Sequence, residues 1–252
     1  MTDATAGAGG TAAEGATPVV IAIDGPAGSG KSSVSMQVAR RLGYGYLDTG
    51  AAYRALAWHV LARGADTSDA ADVLDASGDF GFAISTDPSA YWVRVGETDV
   101  TDAIRDPAVS DAVSGVARVP AIREGINGLF RAIMAGSGEG IVVEGRDITT
   151  VVAPDAPVRI LLTAAPDVRA ARRAGEVASQ DANAVADALH RRDASDAQVV
   201  DFLTAAPGVD VVDSTDLDLE GTIEAVLEVI TRRTAGDSGT DSGAGGGNGE
   251  EA

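Results

Sequence analysis

Apolar positions along this chain fall into short continuous runs separated by stretches with helical spacing. "VVIAID" (Val19–Asp24), "GIVVEG" (Gly140–Gly145) and "VRILLT" (Val158–Thr163) are unbroken apolar runs of strand length, as expected for strands buried on both faces. "YGYLD" (Tyr44–Asp48) and "VDVVDS" (Val209–Ser214) read as two further strands. Between them the period changes to that of a helix. Val34, Val38 and Leu42 share one face, "AAYRALAWHVLARG" reads as a helix stopped by Gly64, and Leu219, Ile223, Leu227 and Ile230 stripe the last helix. Helices are also expected over Pro107–Arg118, over Pro120–Ala135, and from Pro166 to about Gly175. Strands alternating with helices imply an α/β fold with a central parallel sheet covered on both sides. "FGFAIS" and "YWVRV" interrupt that rhythm and read as a hairpin in an inserted subdomain.

Both ends lack this periodicity. Residues 1–17 are rich in Gly, Ala and Thr, and residues 235–252 are Gly-rich and acidic, so both are expected to be disordered tails around a domain spanning 18–234. The first residues have neither a basic start nor an apolar stretch, so no signal peptide is expected, and no apolar run is long enough for a membrane helix. The absence of cysteine fits a reducing cytoplasm. A net charge of −19 argues against a nucleic-acid binder, so an anionic ligand would need a local basic cleft. A monomer is expected, because no apolar stripe is left over for a partner.

The basic residues are eighteen arginines and one lysine. That lysine, Lys31, lies in "GPAGSGKS" (Gly25–Ser32), which matches G-x-x-x-x-G-K-[ST] between a strand and a helix. Glycines let the main chain curl so that several N–H groups face one anion, and the following helix points its positive end there. Lys31 would reach the β- and γ-phosphates of a nucleotide, and Ser32 would ligate Mg2+. A compact ammonium fits inside such a loop, whereas a planar guanidinium is wider, which explains why lysine persists here alone. The loop does not name a reaction. An N-K-x-D base-reading motif needs a second lysine, which excludes the usual GTPases, and no "LSGGQ" is present. A small-molecule kinase or an unusual ATPase remains.

Two strand ends carry further chemistry. "YLDTGAAYRA" (Tyr46–Ala55) supplies Asp48, Thr49 and Arg54, and "VVEGRDITTVV" (Val142–Val152) supplies Arg146 and Asp147 at the same sheet edge. His59 and His190 read as packing or surface residues.

With "RAARR" and "VVDSTDL", these stretches resemble the bacterial cytidylate kinases in order and spacing from about Pro18 to Arg232. The resemblance implies a P-loop NTPase three-layer fold with an acceptor-binding insert at about 65–135 and a helical lid at about 173–200. It implies phosphoryl transfer from ATP, with Mg2+, to CMP or dCMP. Gly25, Pro26, Ala27, Gly28, Ser29, Gly30, Lys31, Ser32 and Ser33 would hold ATP, with Ser32 on the metal. Thr49, Arg54 and Arg146 would hold the acceptor phosphate, Ser114, Arg123 and Asp147 the cytosine, and Asp48 would belong to the same acceptor site. Arg192 and Asp196 match lid-side contacts to ribose and phosphate. Lys31, Arg146, Arg169, Arg172 and Arg173 would surround the transferring group. Two positions depart from the family pattern: Val199 stands where the pattern has its last arginine, and Thr149 where it usually has glycine. Two alternatives follow: a nucleotide-binding module with an impaired acceptor site, or a small-molecule kinase with another acceptor.

Overall fold

The computed structural model describes residues 17–176, 187, 191, 193, 194, 197 and 201–237. Five parallel strands form the central sheet in the order β2-β6-β1-β7-β8. They are β1 (Val19–Asp24), β2 (Gly45–Asp48), β6 (Gly140–Gly145), β7 (Val158–Thr163) and β8 (Asp210–Asp213). β1 lies at the centre, with Ile23 opposite both Glu144 and Ile160.

Alternation along these strands divides the core. Ala22, Ile141 and Val143 face one layer, and Ile21, Ile23 and Val142 face the other. The first layer is built from α2 (Thr49–Ala62), α4 (Pro107–Ala117) and α5 (Pro120–Ala135), through Leu56, Val60, Val116, Ile126 and Phe130. The second contains α1 (Lys31–Leu42) and the last helix, α7 (Leu219–Asp237), through Val34, Val38, Ile223, Val226 and Ile230. Each such side chain, fully buried, contributes roughly 1.5–3 kcal/mol.

The expected hairpin is present as β3 (Phe82–Ile84) and β4 (Val93–Val95), paired antiparallel, and a third strand, β5 (Thr98–Asp99), extends it. This small sheet packs Val93 and Val95 on Ala51 and Ala55 of α2. Its loop joins the free edge of β2, where the Tyr46 N–H donates to Thr86 O at 2.8 Å.

Three expectations change. A helix not anticipated, α3 (Ala70–Ser77), begins at Asp69, whose carboxylate accepts the Ala71 N–H at 2.7 Å. α7 runs to Asp237, past the expected domain end at 234. Leu219 does not join the buried stripe: it is half exposed at the first turn of α7, while Val226 takes a core position. Among the described residues no helix is long and apolar enough to cross a membrane.

Candidate active site

The C-terminal ends of β1, β2 and β6 open into one cavity of about 350 Å³. Its walls carry six cationic side chains (Lys31, Arg54, Arg105, Arg123, Arg146 and Arg173) against three acids (Asp48, Glu144 and Asp147). A chain with a net charge of −19 thus concentrates positive charge where an anion would bind.

At one end lies the loop between β1 and α1. Gly25 has φ 152°, and a Cβ there would meet Leu162 O of β7 at 2.0 Å, so the loop passes β7 too closely for any side chain. Gly30 takes the left-handed conformation and caps α1 without a side-chain bond. The first turn of α1 contains no acidic residue, and its Lys31, Ser32 and Ser33 line the cavity. A helix N-terminus left open in this way attracts an anion. Lys31 is buried, and its Nζ donates to Pro26 O at 2.8 Å.

The cavity floor is a cluster of acids and hydroxyls. Asp48 and Glu144 are register partners on β2 and β6. Burial and the neighbouring Asp48 push the Glu144 carboxyl up, opposed by Lys31 and by the Ser32 and Tyr46 hydroxyls. The Tyr46 hydroxyl donates to Glu144 Oε1 at 2.8 Å. Asp48 caps α2 by accepting the Ala51 N–H at 2.9 Å and pairs with Arg54 Nη2 at 2.7 Å. Thr49 Oγ1 donates to Glu144 O at 2.7 Å. Gly145 permits that approach, because a Cβ there would lie 2.5 Å from the hydroxyl.

Also lining the cavity, Arg123 of α5 pairs with Asp147, just past β6. Burial raises the Asp147 carboxyl, and Arg123 opposes the rise. Ser114 of α4 and Tyr53 of α2 line it too. The Tyr53 hydroxyl is buried with no hydrogen-bond partner among the described residues, and burial pushes it up to about 12. Sequence reasoning missed Tyr53, although "AAYRA" was in view; Glu144, seen only as a strand end, and Tyr46 were also missed as site residues.

The candidate arginines divide. Arg146 reaches back to donate to Gly25 O and, with Arg173, lines the cavity. Arg169 and Arg172, both in α6 (Pro166–Glu176), do not line it. Arg169 donates to Ala27 O at 3.0 Å and pairs with Asp193. Arg172 donates to Ser214 Oγ at 2.9 Å, Ser214 O at 2.7 Å and Leu217 O at 3.0 Å. Arg169 thus braces the phosphate loop from outside the cavity, and Arg172, which also donates to Ser29 O at 3.4 Å, ties that loop to the segment after β8. Arg192, Asp196, Val199 and His190 lie outside the described residues, as does most of the expected lid. His59 sits on α2 beside Asp79, 3.0 Å from its carboxylate, and away from the cavity.

Thr149, read as a departure, has a structural use. Its N–H and Oγ1 donate to Asp24 Oδ2 at 2.8 and 2.7 Å, while the Ile148 N–H donates to Oδ1 at 3.0 Å. The buried Asp24 carboxylate thereby anchors the wide turn Ile148–Val152 to the end of β1.

The family model for cytidylate kinase matches residues 21–232. A cytidylate kinase of Streptomyces avermitilis is 44% identical over 218 residues, which cover 86% of this chain and 94% of that protein. One from Cutibacterium acnes is 46% identical, covering 85% of this chain and 96% of that protein. One from Streptomyces coelicolor is 45% identical, covering 89% and 98%.

Proposed function

The chain belongs to the cytidylate kinase family, and on that premise we propose that it transfers the terminal phosphoryl group of ATP to CMP and dCMP, giving ADP with CDP or dCDP. One observation carries the reading: the phosphate loop with Lys31 and the Arg123–Asp147 pair line the same cavity. A donor on the loop and a cytidine monophosphate against the pair would meet end to end.

The main-chain N–H groups of Gly25–Ser33 and the first turn of α1 bind the donor phosphates, and Lys31 leaves Pro26 O to grip the terminal ones. Thr49 and Arg54 hold the acceptor phosphate. Arg146 and Arg173, which line the same cavity, stabilise the oxygens of the group in flight. Arg169 and Arg172 act through the loop that they brace. The acceptor is already a phosphate oxyanion, so no strong base is required, consistent with a cavity lined by no histidine among the described residues. Selectivity for the base comes from Ser114, Arg123 and Asp147. A guanidinium and a carboxylate match the carbonyl and amino edge of cytosine, and uracil would leave a buried group unpaired.

ATP use implies a divalent cation, taken here as Mg2+. The donor set fits one: the Ser32 hydroxyl stands beside Glu144, whose carboxylate shares the floor with Asp48, and such hard oxygen donors suit this ion. Ser32 would hold it with the two carboxylates beneath, and the ion would neutralise charge on the β- and γ-phosphates. The reading is of a monomeric cytoplasmic enzyme of pyrimidine nucleotide metabolism, with Arg192 and Asp196 contacting the ribose and phosphate.

ADP release measured with Mg2+ and ATP against CMP, dCMP, UMP, AMP and shikimate tests this. Turnover confined to CMP and dCMP is expected. Tight nucleotide binding without turnover, or turnover with shikimate instead, would favour one of the two alternatives, which identities of 44–46% to cytidylate kinases do not.

A further inference from the structure

Phe202 is one of the largest fully buried side chains of the protein, 2% exposed. Among the described residues it is not a member of the three apolar clusters of the sheet and its helices. The Arg146 guanidinium covers its ring, 4.8 Å from the centroid. The same guanidinium donates to Gly25 O, and its other nitrogen lies 3.9 Å from Asp193 Oδ1. Polar contacts that include these hold it at its edges, and an aromatic ring holds one face.

We propose that Phe202 is a positioning residue for the phosphoryl-transfer step: its ring is the platform that fixes Arg146 between the phosphate loop and the acceptor pocket. The proposal rests on the reading of Arg146 as a phosphate contact. An unsupported arginine samples many rotamers, and ordering it on substrate binding opposes catalysis. A ring beneath the guanidinium restricts those rotamers beforehand, and the attraction of the cation to the ring face adds to the restriction. Phe202 does not line the cavity, so it acts through Arg146 and touches no reacting atom. It also lies in "VVDFLTAAPG", the stretch where the family's last arginine is replaced by Val199. With that arginine gone, the remaining guanidiniums at the acceptor matter more, and holding one of them still has a larger effect.

The test is steady-state kinetics on the full-length chain carrying Phe202→Leu, Phe202→Tyr, Arg146→Lys, and Phe202→Leu combined with Arg146→Lys. Phe202→Leu should lower kcat/KM for CMP about five- to thirtyfold and leave the KM for ATP within about twofold. Phe202→Tyr, which keeps the ring, should stay within about twofold of the parent. In the Arg146→Lys background the leucine change should cost nothing more, because an ammonium has no flat face to support. Losses that multiply in the double variant, or an unchanged kcat/KM in Phe202→Leu, would overturn the platform. Should the leucine variant fail to fold, Phe202→Met poses the same question with a longer apolar side chain. If Arg146→Lys alone leaves kcat/KM intact, the role of Arg146 falls and the platform with it. If Arg146→Lys is impaired while Phe202→Leu is not, only the platform falls.

Discussion

The carboxylate of Asp193 accepts the main-chain N–H of Ala27 at 3.0 Å, across 166 residues of chain. It also pairs with Arg169, which donates to Ala27 O. One residue of the phosphate loop, Ala27, is thus held at both its main-chain polar groups by a buried ion pair.

Removing the acid leaves Arg169 buried without its counter-charge. Asp193→Ala should lower unfolding stability by about 3 kcal/mol. It should also raise the KM for ATP more than that for CMP, because the loop is the donor's site. Urea midpoints and initial rates measure both, and a variant as stable as the parent would mean that the pair does not brace the loop.

Lys31 is the cation nearest the terminal donor phosphates in the proposed reaction. Lys31→Ala should reduce kcat by two or more orders of magnitude while the protein remains folded. Single-turnover rates at saturating ATP and CMP are the measurement, and near-parental turnover would contradict its role.

Asp147 and Arg123 form an ion pair that is the proposed reader of the base. An amide at 147 loses the charge that meets the cytosine amino group and can donate to a uracil carbonyl instead. Asp147→Asn should reduce kcat/KM for CMP about 100-fold or more and narrow the preference over UMP. A competition assay with both monophosphates reads the ratio directly. An unchanged ratio would assign base selection elsewhere.

Burial holds the phenols of Tyr46, Tyr53 and Tyr91 above the ordinary tyrosine value of 10, Tyr53 at about 12. The folded chain keeps protons there that the unfolded chain releases near pH 10. The stability that Tyr53 contributes is complete below pH 10 and is lost as pH rises through about 12. Tyr53→Phe should remove roughly 2–3 kcal/mol of that alkaline fall. Urea titrations at pH 9 and pH 12 on both proteins test it, and parallel curves would show that Tyr53 ionises normally.

Local patterns carried much of this molecule. Three of the expected central strands match their apolar runs residue for residue, because a strand buried on both faces tolerates nothing else. Asp48, Thr49, Arg54, Arg146 and Asp147 were placed at one sheet edge by the rule that loops leave the C-terminal ends of parallel strands, and all five line the cavity together with Lys31, which the loop motif had singled out. The short α3 and the two-residue β5 escaped notice, since neither is long enough to establish a period.

What the chain determined alone was therefore the sheet, the anion loop and the edge at which chemistry would gather, because strand and helix periods and glycine-dependent turns are written in neighbouring residues. The tertiary structure decided which way the arginines turn: Arg173 to the cavity, Arg169 and Arg172 outside it, and Arg146 onto Phe202. A long flexible side chain goes where its partners are. Those partners, Gly25 for Arg146 at a separation of 121 residues and Ala27 for Arg169 at 142, become neighbours only when the sheet closes.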